Sequence, residues 1–465
     1  MTDLSEKKGN RVSVVAALLT YLMGAVYWAA YFLKGSPTFT SNDWLKEQVF
    51  SNVLRESILG LQIPWGIAPQ FYHKVNEFIA NPEVSLTPDV LLLAVLPNNA
   101  YFLAHTLIFY TIGFLGMLML ARRYDLSSLP FMFFCVLFGL NGYVSAHLSE
   151  GHIQWVGCFL IPLFFYWLSG IGSVNRSVSQ AAALKLGLLL GFMFLNGSFH
   201  MAVWCLMFAG LSLIYQPELF KQIGLVFLVA GLLWVCRLVP AGIYFAGAAG
   251  KDFVSGYPSF NVLLDALTFI YNPGSPTTGG SFGHLKWHEY NFYIGYVGFA
   301  FLVVGLWTYL KNGLKAIPMW WMPSAIIMFM FSMGDVFQLI PNSGLPFSTL
   351  ERVASRFIVL PFFVVFLAAA VGFTYLQDKY RRLVSVALLI AIVPMLGEIF
   401  QHARKWRIES YESVMGIHSI PSVSIISLNE GVLHWVVSLS WLISLATAIV
   451  VSVWLLPVQR GAKSG

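Results

Sequence analysis

The sequence predicts an all-α, polytopic integral membrane protein with about twelve spanning helices, and three observations carry that reading. Hydrophobic residues make up 58% of the 465 and charged residues 10%, whereas a soluble domain carries about 25% charged residues. Apolar runs of roughly 20 residues, the length a bilayer requires, recur from one end of the chain to the other. The basic residues gather in the short connections on one side of those runs. The net charge of +6 is therefore spread over membrane-flanking loops and does not point to a nucleic-acid partner.

The runs lie at 12–33, 99–120, 129–147, 153–172, 182–199, 200–215, 222–246, 291–310, 316–333, 355–376, 381–399 and 432–456. Lys7, Lys8 and Arg11 precede the first, and no small-residue cleavage site follows it, so an uncleaved span is expected and not a signal peptide. The polar interruption after that span carries Leu45, Val49, Val53, Leu54 and Ile58 at helical spacing, with Lys46, Glu47, Ser51, Asn52 and Arg55 opposite. That pattern predicts an amphipathic helix lying in the membrane interface. Pro64, Trp65, Gly66 and Pro69 end it, and Asn81-Pro82 and Pro88 stiffen the return to the next span. Tight hairpins are expected at 148–152 and near 199. Residues 1–465 form a single transmembrane domain on this reading, with long loops at 34–98, 247–290, 334–354 and 400–431. Cys135, Cys158, Cys205 and Cys236 all fall in apolar runs, which argues against structural disulfides or a cysteine zinc site.

Orientation follows from the short basic loops. Lys7, Lys8, Arg11, Arg122, Arg123, Arg176, Lys185, Lys221, Lys311, Lys315, Lys379, Arg381, Arg382, Arg460 and Lys463 share one side, expected to be cytoplasmic with both termini. The other side receives the long loops, every histidine, and every acidic residue except Asp3, Glu6, Asp125, Glu218 and Asp378. Any chemistry is expected to face outward.

A series of residues in this order resembles a known family. It comprises Asp43 after the first span, the amphipathic stretch, Pro64-Trp65-Gly66, Asn81-Pro82 and Pro88-Asp89-Val90-Leu91-Leu92-Leu93. Gly151-His152, Gln154-Trp155, Tyr293-Ile294-Gly295-Tyr296 and Phe331-Ser332-Met333-Gly334-Asp335 follow, then Leu345-Pro346 and Arg352-Val353-Ala354-Ser355-Arg356-Phe357. From residue 12 to about 376 this is similar to the YfhO-like bacterial membrane proteins of the GT-C glycosyltransferase superfamily. The resemblance implies transfer of a monosaccharide from a polyprenyl-phosphate donor to an envelope glycan, lipid or protein acceptor. It places that reaction on the outer face of the bacterial cytoplasmic membrane, independent of a sugar nucleotide, and a single displacement with one base is expected to invert the anomeric carbon.

Such chemistry needs a base for the acceptor hydroxyl and a fixed cation facing the phosphate leaving group. Asp43 is the candidate base; the alternative is that it caps the helix that follows, with Thr40, Ser41 and Asn42. Arg352 and Arg356 are four apart, which on a helix places both guanidiniums on one face for a phosphate; otherwise they snorkel at a span end. Glu150 and His152, in the tight outer hairpin, are candidates for substrate contact, and His152 with Asp43 for holding a divalent cation; otherwise Ser149 or Glu150 caps a helix. His200 follows Asn196-Gly197-Ser198 and is a further substrate-binding candidate, or a packed polar group. His284 and His288 are also four apart, but in a glycine-rich loop this is a weak zinc signal. Arg404-Lys405-Trp406-Arg407 reads as an anchor for anionic membrane lipid headgroups. Two other classes compete: a transporter or flippase of a lipid-linked precursor, and a non-catalytic envelope-assembly partner. A transporter calls for mid-span charge and repeat symmetry; Arg237 is the main such charge and no repeat is visible.

Overall fold

The computed structural model describes residues 11–34, 37–68, 78–245, 256–271, 285–339, 351, 353–408, 423–426 and 431–461. The chain is an all-α, multi-pass membrane protein. Among the described residues nine helices are long and apolar enough to cross a bilayer. Three of the expected spans fall on shorter apolar helices, Phe199–Ile214, Gly295–Lys311 and Trp321–Ser332. Hydropathy marks such segments as apolar but not as continuous. The last is 12 residues, about 18 Å of helix at 1.5 Å per residue, well short of a hydrocarbon core of about 30 Å.

Helix α1 (Val14–Leu33) starts at Ser13, whose hydroxyl accepts from the Ala16 N–H. Helix α2 (Trp44–Leu59) is the expected amphipathic element. Lys46, Glu47, Gln48 and Ser51 on its polar face are buried, directed into the protein and not toward water. The long α3 (Asn98–Arg123) follows. The run expected at 129–147 is two helices, α4 (Ser128–Gly139) and α5 (Gly142–Ser149). Asn141 makes the break: its amide donates to the Leu137 and Phe138 carbonyls while its Oδ1 accepts from the Tyr143 N–H, so one side chain closes one helix and opens the next.

A 3₁₀ segment, Ile153–Leu160, leads into α6 (Ile161–Ile171). Helix α7 (Arg176–Leu195) begins six residues before the expected 182 because Asn175 caps it, accepting from Ser177 and Val178. Then come α8 (Phe199–Leu211), α9 (Phe220–Phe245), α10 (Phe260–Thr268), α11 (Gly295–Lys311) and α12 (Trp321–Ser332). The single turn α13 (Gly334–Phe337) precedes α14 (Val359–Lys379), α15 (Arg381–Lys405) and α16 (Gly431–Gly461). Helices α11 and α14 pack closely because Gly305 and Gly372 face one another; a Cβ on either would strike the partner backbone. Two loops meet in a small antiparallel sheet of β1 (Gly66–Ala68) and β2 (Ser424–Ile426).

The bundle has two charged ends. Helices α1 and α14, and the α4–α5 pair, each run from one to the other. At the first end Arg11 pairs with Asp125 at 3.1 Å and Asp378 at 2.8 Å, three residues that the charge pattern assigns to one side. The same helices deliver Asp43, Glu150 and Arg356 to the second end, about 30 Å away by the 20-residue length of α1.

Candidate active site

The second end is built on a staple between the head of α2 and the end of α5. The Asp43 N–H donates to the Glu150 carbonyl at 2.9 Å, and the Trp44 indole donates to the Leu148 carbonyl at 2.8 Å. Gly151 makes this approach possible: its φ is +95°, and a Cβ there would strike the backbone of Asp43 and Trp44. The segment that presents Asp43 is itself strained, with positive φ at Phe39 (54°) and Asn42 (48°).

Asp43 occupies the N-cap position of α2 but its side chain makes no capping hydrogen bond. Its Oδ2 instead lies 3.1 Å from Lys46 Nζ and 3.6 Å from His152 Nε2. The carboxylate is 26% exposed and His152 19%, so this pair sits at the mouth of the cluster beside Glu83 at 42%, with Lys46, Glu47, His147 and Glu289 buried behind it. Behind it, Lys46 is 3% exposed and also meets Glu83 at 2.6 Å and Glu47 at 3.5 Å. Gln154 donates to Glu47 at 2.8 Å and to the Glu83 carbonyl at 3.1 Å. Burial raises Glu47 to about 7, against the opposing pull of Lys46 and Gln154. Burial also works to raise Glu83, but Lys46 outweighs it and holds that carboxyl below its usual value.

The histidines lie on the other side of Asp43. His147, in the last turn of α5, contacts His152 Nδ1 to Nδ1 at 3.0 Å. His288 joins them from the 3₁₀ turn Trp287–Glu289, and the three rings offer nitrogens that all lie within 4.8 Å of one another. Trp155 packs on His147 at 4.2 Å between ring centroids. Burial, then His288 and Arg356, lower His152 to about 3, with Glu289 and Asp43 opposing, so its imidazole is neutral near pH 7. Glu289 is gripped by Arg356 through two bonds of 2.7 and 2.6 Å. Burial favours its neutral form, but Arg356 and His288 prevail and hold the carboxyl well below the ordinary range.

Asp43, Glu150, His152 and Arg356 are thus brought together as their sequence positions predict. The expected role of Arg356 is corrected. It lies in a 3₁₀ turn, Ala354–Ile358, not on a helix shared with Arg352, which lies outside the described residues, as does His284. Its guanidinium is 11% exposed, spent on Glu289, and set 4.8 Å over the Trp155 ring. It neither snorkels nor offers an open fork to a phosphate. His200 reaches the cluster through Glu351, which it meets at 2.9 Å and which approaches Arg356 at 3.9 Å, and through the Trp155 ring at 6.2 Å between centroids. Glu150 pairs with Lys286 at 3.0 Å. His288 works with His147 and His152, whereas spacing alone offers only His284 as its partner.

Sequence reasoning misses Lys46, Glu47, Glu83 and His147 as members of the site, whereas Lys286, His288 and Glu289 lie in a loop that the sequence suggests could close over a substrate. The missed signal is faint: His147 and His152 flank a hairpin glycine. Asp89 plays the structural part, paired with His105 at 2.5 Å and accepting from Thr87 at 2.6 Å. No protein-family model matches this sequence, and no curated protein is significantly similar to it.

Proposed function

We propose that this protein is a membrane glycosyltransferase of the GT-C type. It takes a monosaccharide from a polyprenyl-phosphate carrier and passes it to an envelope glycan, lipid or protein hydroxyl on the outer face of a bacterial cytoplasmic membrane. The observation that carries this reading is the Asp43 carboxylate. It caps nothing, stands on a strained segment, and is held beside His152 and Lys46 at the open edge of a buried polar cluster. A carboxylate placed this way suits a general base. Asp43 accepts the acceptor hydroxyl proton as that oxygen attacks the anomeric carbon. The bond from that carbon to the phosphate oxygen breaks, its electron pair leaves on the polyprenyl phosphate, and the configuration inverts.

The donor phosphate is not assigned to Arg356. A cavity of about 470 Å³ lined by Tyr27, Tyr31, Lys34, Phe400, Arg404 and Arg407 suits it better: cations for the phosphate and aromatic walls for the first lipid segment. Tyr31 ties that cavity to α5, since its hydroxyl donates to the Ser145 carbonyl at 2.6 Å. The mid-span charge that would favour transport is engaged, because Arg237 donates to the Val84 carbonyl at 2.5 Å.

The test is transfer by the purified protein in vesicles, from labelled polyprenyl-phosphate sugars to envelope acceptors. Asp43→Asn removes the base and keeps the shape, so turnover falls about 10²–10⁴-fold with normal insertion. Transfer by Asp43→Asn at the wild-type rate would remove Asp43 as base. Passage of the intact lipid-linked sugar across the vesicle without transfer would favour a flippase instead.

A further inference from the structure

We propose that His147, His152 and His288 form a binding site for one divalent transition metal ion, with Zn²⁺ the best match. Three imidazoles converging from two chain segments, with ring nitrogens all within 4.8 Å of one another, are the ligand set that zinc takes in sites with an open fourth position. The 3.0 Å between the Nδ1 atoms of His147 and His152 is close to the separation of roughly 3.4 Å that two nitrogens adopt around tetrahedral zinc with bonds of 2.0–2.1 Å.

Two further observations point to a ligand. His288 Nδ1 is buried and makes no hydrogen bond, a costly state for a polar atom unless something else engages the ring. In addition, each ring turns its Nε2 toward a carboxylate: His152 toward Asp43 at 3.6 Å, His288 toward Glu289 at 3.2 Å and His147 toward Glu289 at 3.9 Å. Metal-bound histidines have this arrangement, in which an outer carboxylate fixes the tautomer and aims the opposite nitrogen inward. For His288 that opposite nitrogen is Nδ1, which makes no hydrogen bond and has Glu150 Oε1 3.8 Å away.

The charge balance agrees. Among the described residues the carboxylates of Asp43, Glu83, Glu150, Glu289 and Glu351 outnumber the cations Lys46, Lys286 and Arg356 in the cluster. A dication offsets that surplus and gives an anionic oxygen something to bind. Asp43 orients His152 under this proposal, and the ion's open position faces the same mouth. The site does not depend on sugar transfer, because its occupancy is read with no donor or acceptor present.

The experiment uses the untagged full-length protein in detergent, stripped with chelator and titrated with ZnCl₂ by calorimetry, with metal content checked by mass spectrometry. About one Zn²⁺ per chain is expected. His147→Gln and His288→Gln should each weaken it by more than 100-fold. Asp43→Asn, which keeps all three ligands, should weaken it about 10–100-fold. Wild-type protein loaded with Co²⁺ should show the visible bands of a tetrahedral site, so the proposal stays testable if a histidine variant fails to fold. Wild-type protein that takes up neither ion, or Zn²⁺ affinity unchanged in a well-folded His147→Gln, would overturn the site and leave the Asp43 transfer assay standing.

Discussion

The two charged ends of the bundle are joined by the same helices and built to opposite standards. At one, Arg11, Asp125 and Asp378 pair in the open, with side-chain exposures of 37, 22 and 56%. At the other, Lys46, Glu47, His147, Glu289 and Arg356 are each no more than 11% exposed. An open ion pair costs little and stabilises little, since water screens it. A buried network must overcome the desolvation of every charge in it, and equally shaped apolar residues are often no less stable there. The first end therefore reads as a clasp between chain segments. The second keeps its charges at a cost in stability that the proposed chemistry would account for.

The largest test of that contrast is Glu289→Gln. It removes the nearest counter-charge of buried Arg356 and leaves only the longer contact to Glu351 at 3.9 Å among the described residues, and breaking such a pair costs about 3–5 kcal/mol. Thermal unfolding in detergent should show a steep loss, and Arg356→Ala should fail in the same way. A near-normal midpoint for both would mean the buried end is wetter than its exposures indicate.

A pH titration of stability sharpens the same point. Glu47 is raised to about 7 in the fold, against about 4.3 unfolded. A raised folded value means the stabilising form is the protonated one. Its contribution is complete below the unfolded value and is lost as pH rises through about 7, worth up to about 4 kcal/mol at 1.36 kcal/mol per unit. Glu47→Gln should flatten the stability profile between about pH 4 and 8 by that amount; an unchanged slope would assign the dependence elsewhere.

Gly151→Ala probes the staple and not the charges. A side chain at φ +95° against the Asp43 backbone should cost about 1–3 kcal/mol and displace Asp43, so turnover should fall more than stability. Equal losses in both would make the hairpin merely structural. The smallest effect belongs to the open end: Asp378→Asn should change stability by less than about 1 kcal/mol, and less still at high salt. A larger, salt-resistant loss would erase the contrast between the two ends.

By itself the sequence determined the class of protein, most span positions, and the sidedness of its charges. These follow from composition and from runs of contiguous residues, which hydropathy and charge read directly. Arg11, Asp125 and Asp378 do meet at one end, and Asp43, Glu150 and His152 at the other. Tertiary structure decided what periodicity leaves open. The polar face of α2 gives Lys46 and Glu47 the same helical spacing whether it meets water or protein, and only the packing of Glu83 and Gln154 against it turns it inward. Arg356 is a phosphate ligand or a structural pair depending on whether Glu289, 67 residues away, arrives first. The three histidines come together because Gly151 lets a hairpin fold back and a distant 3₁₀ turn delivers His288. Such contacts depend on the closure of long loops, and no local pattern encodes them.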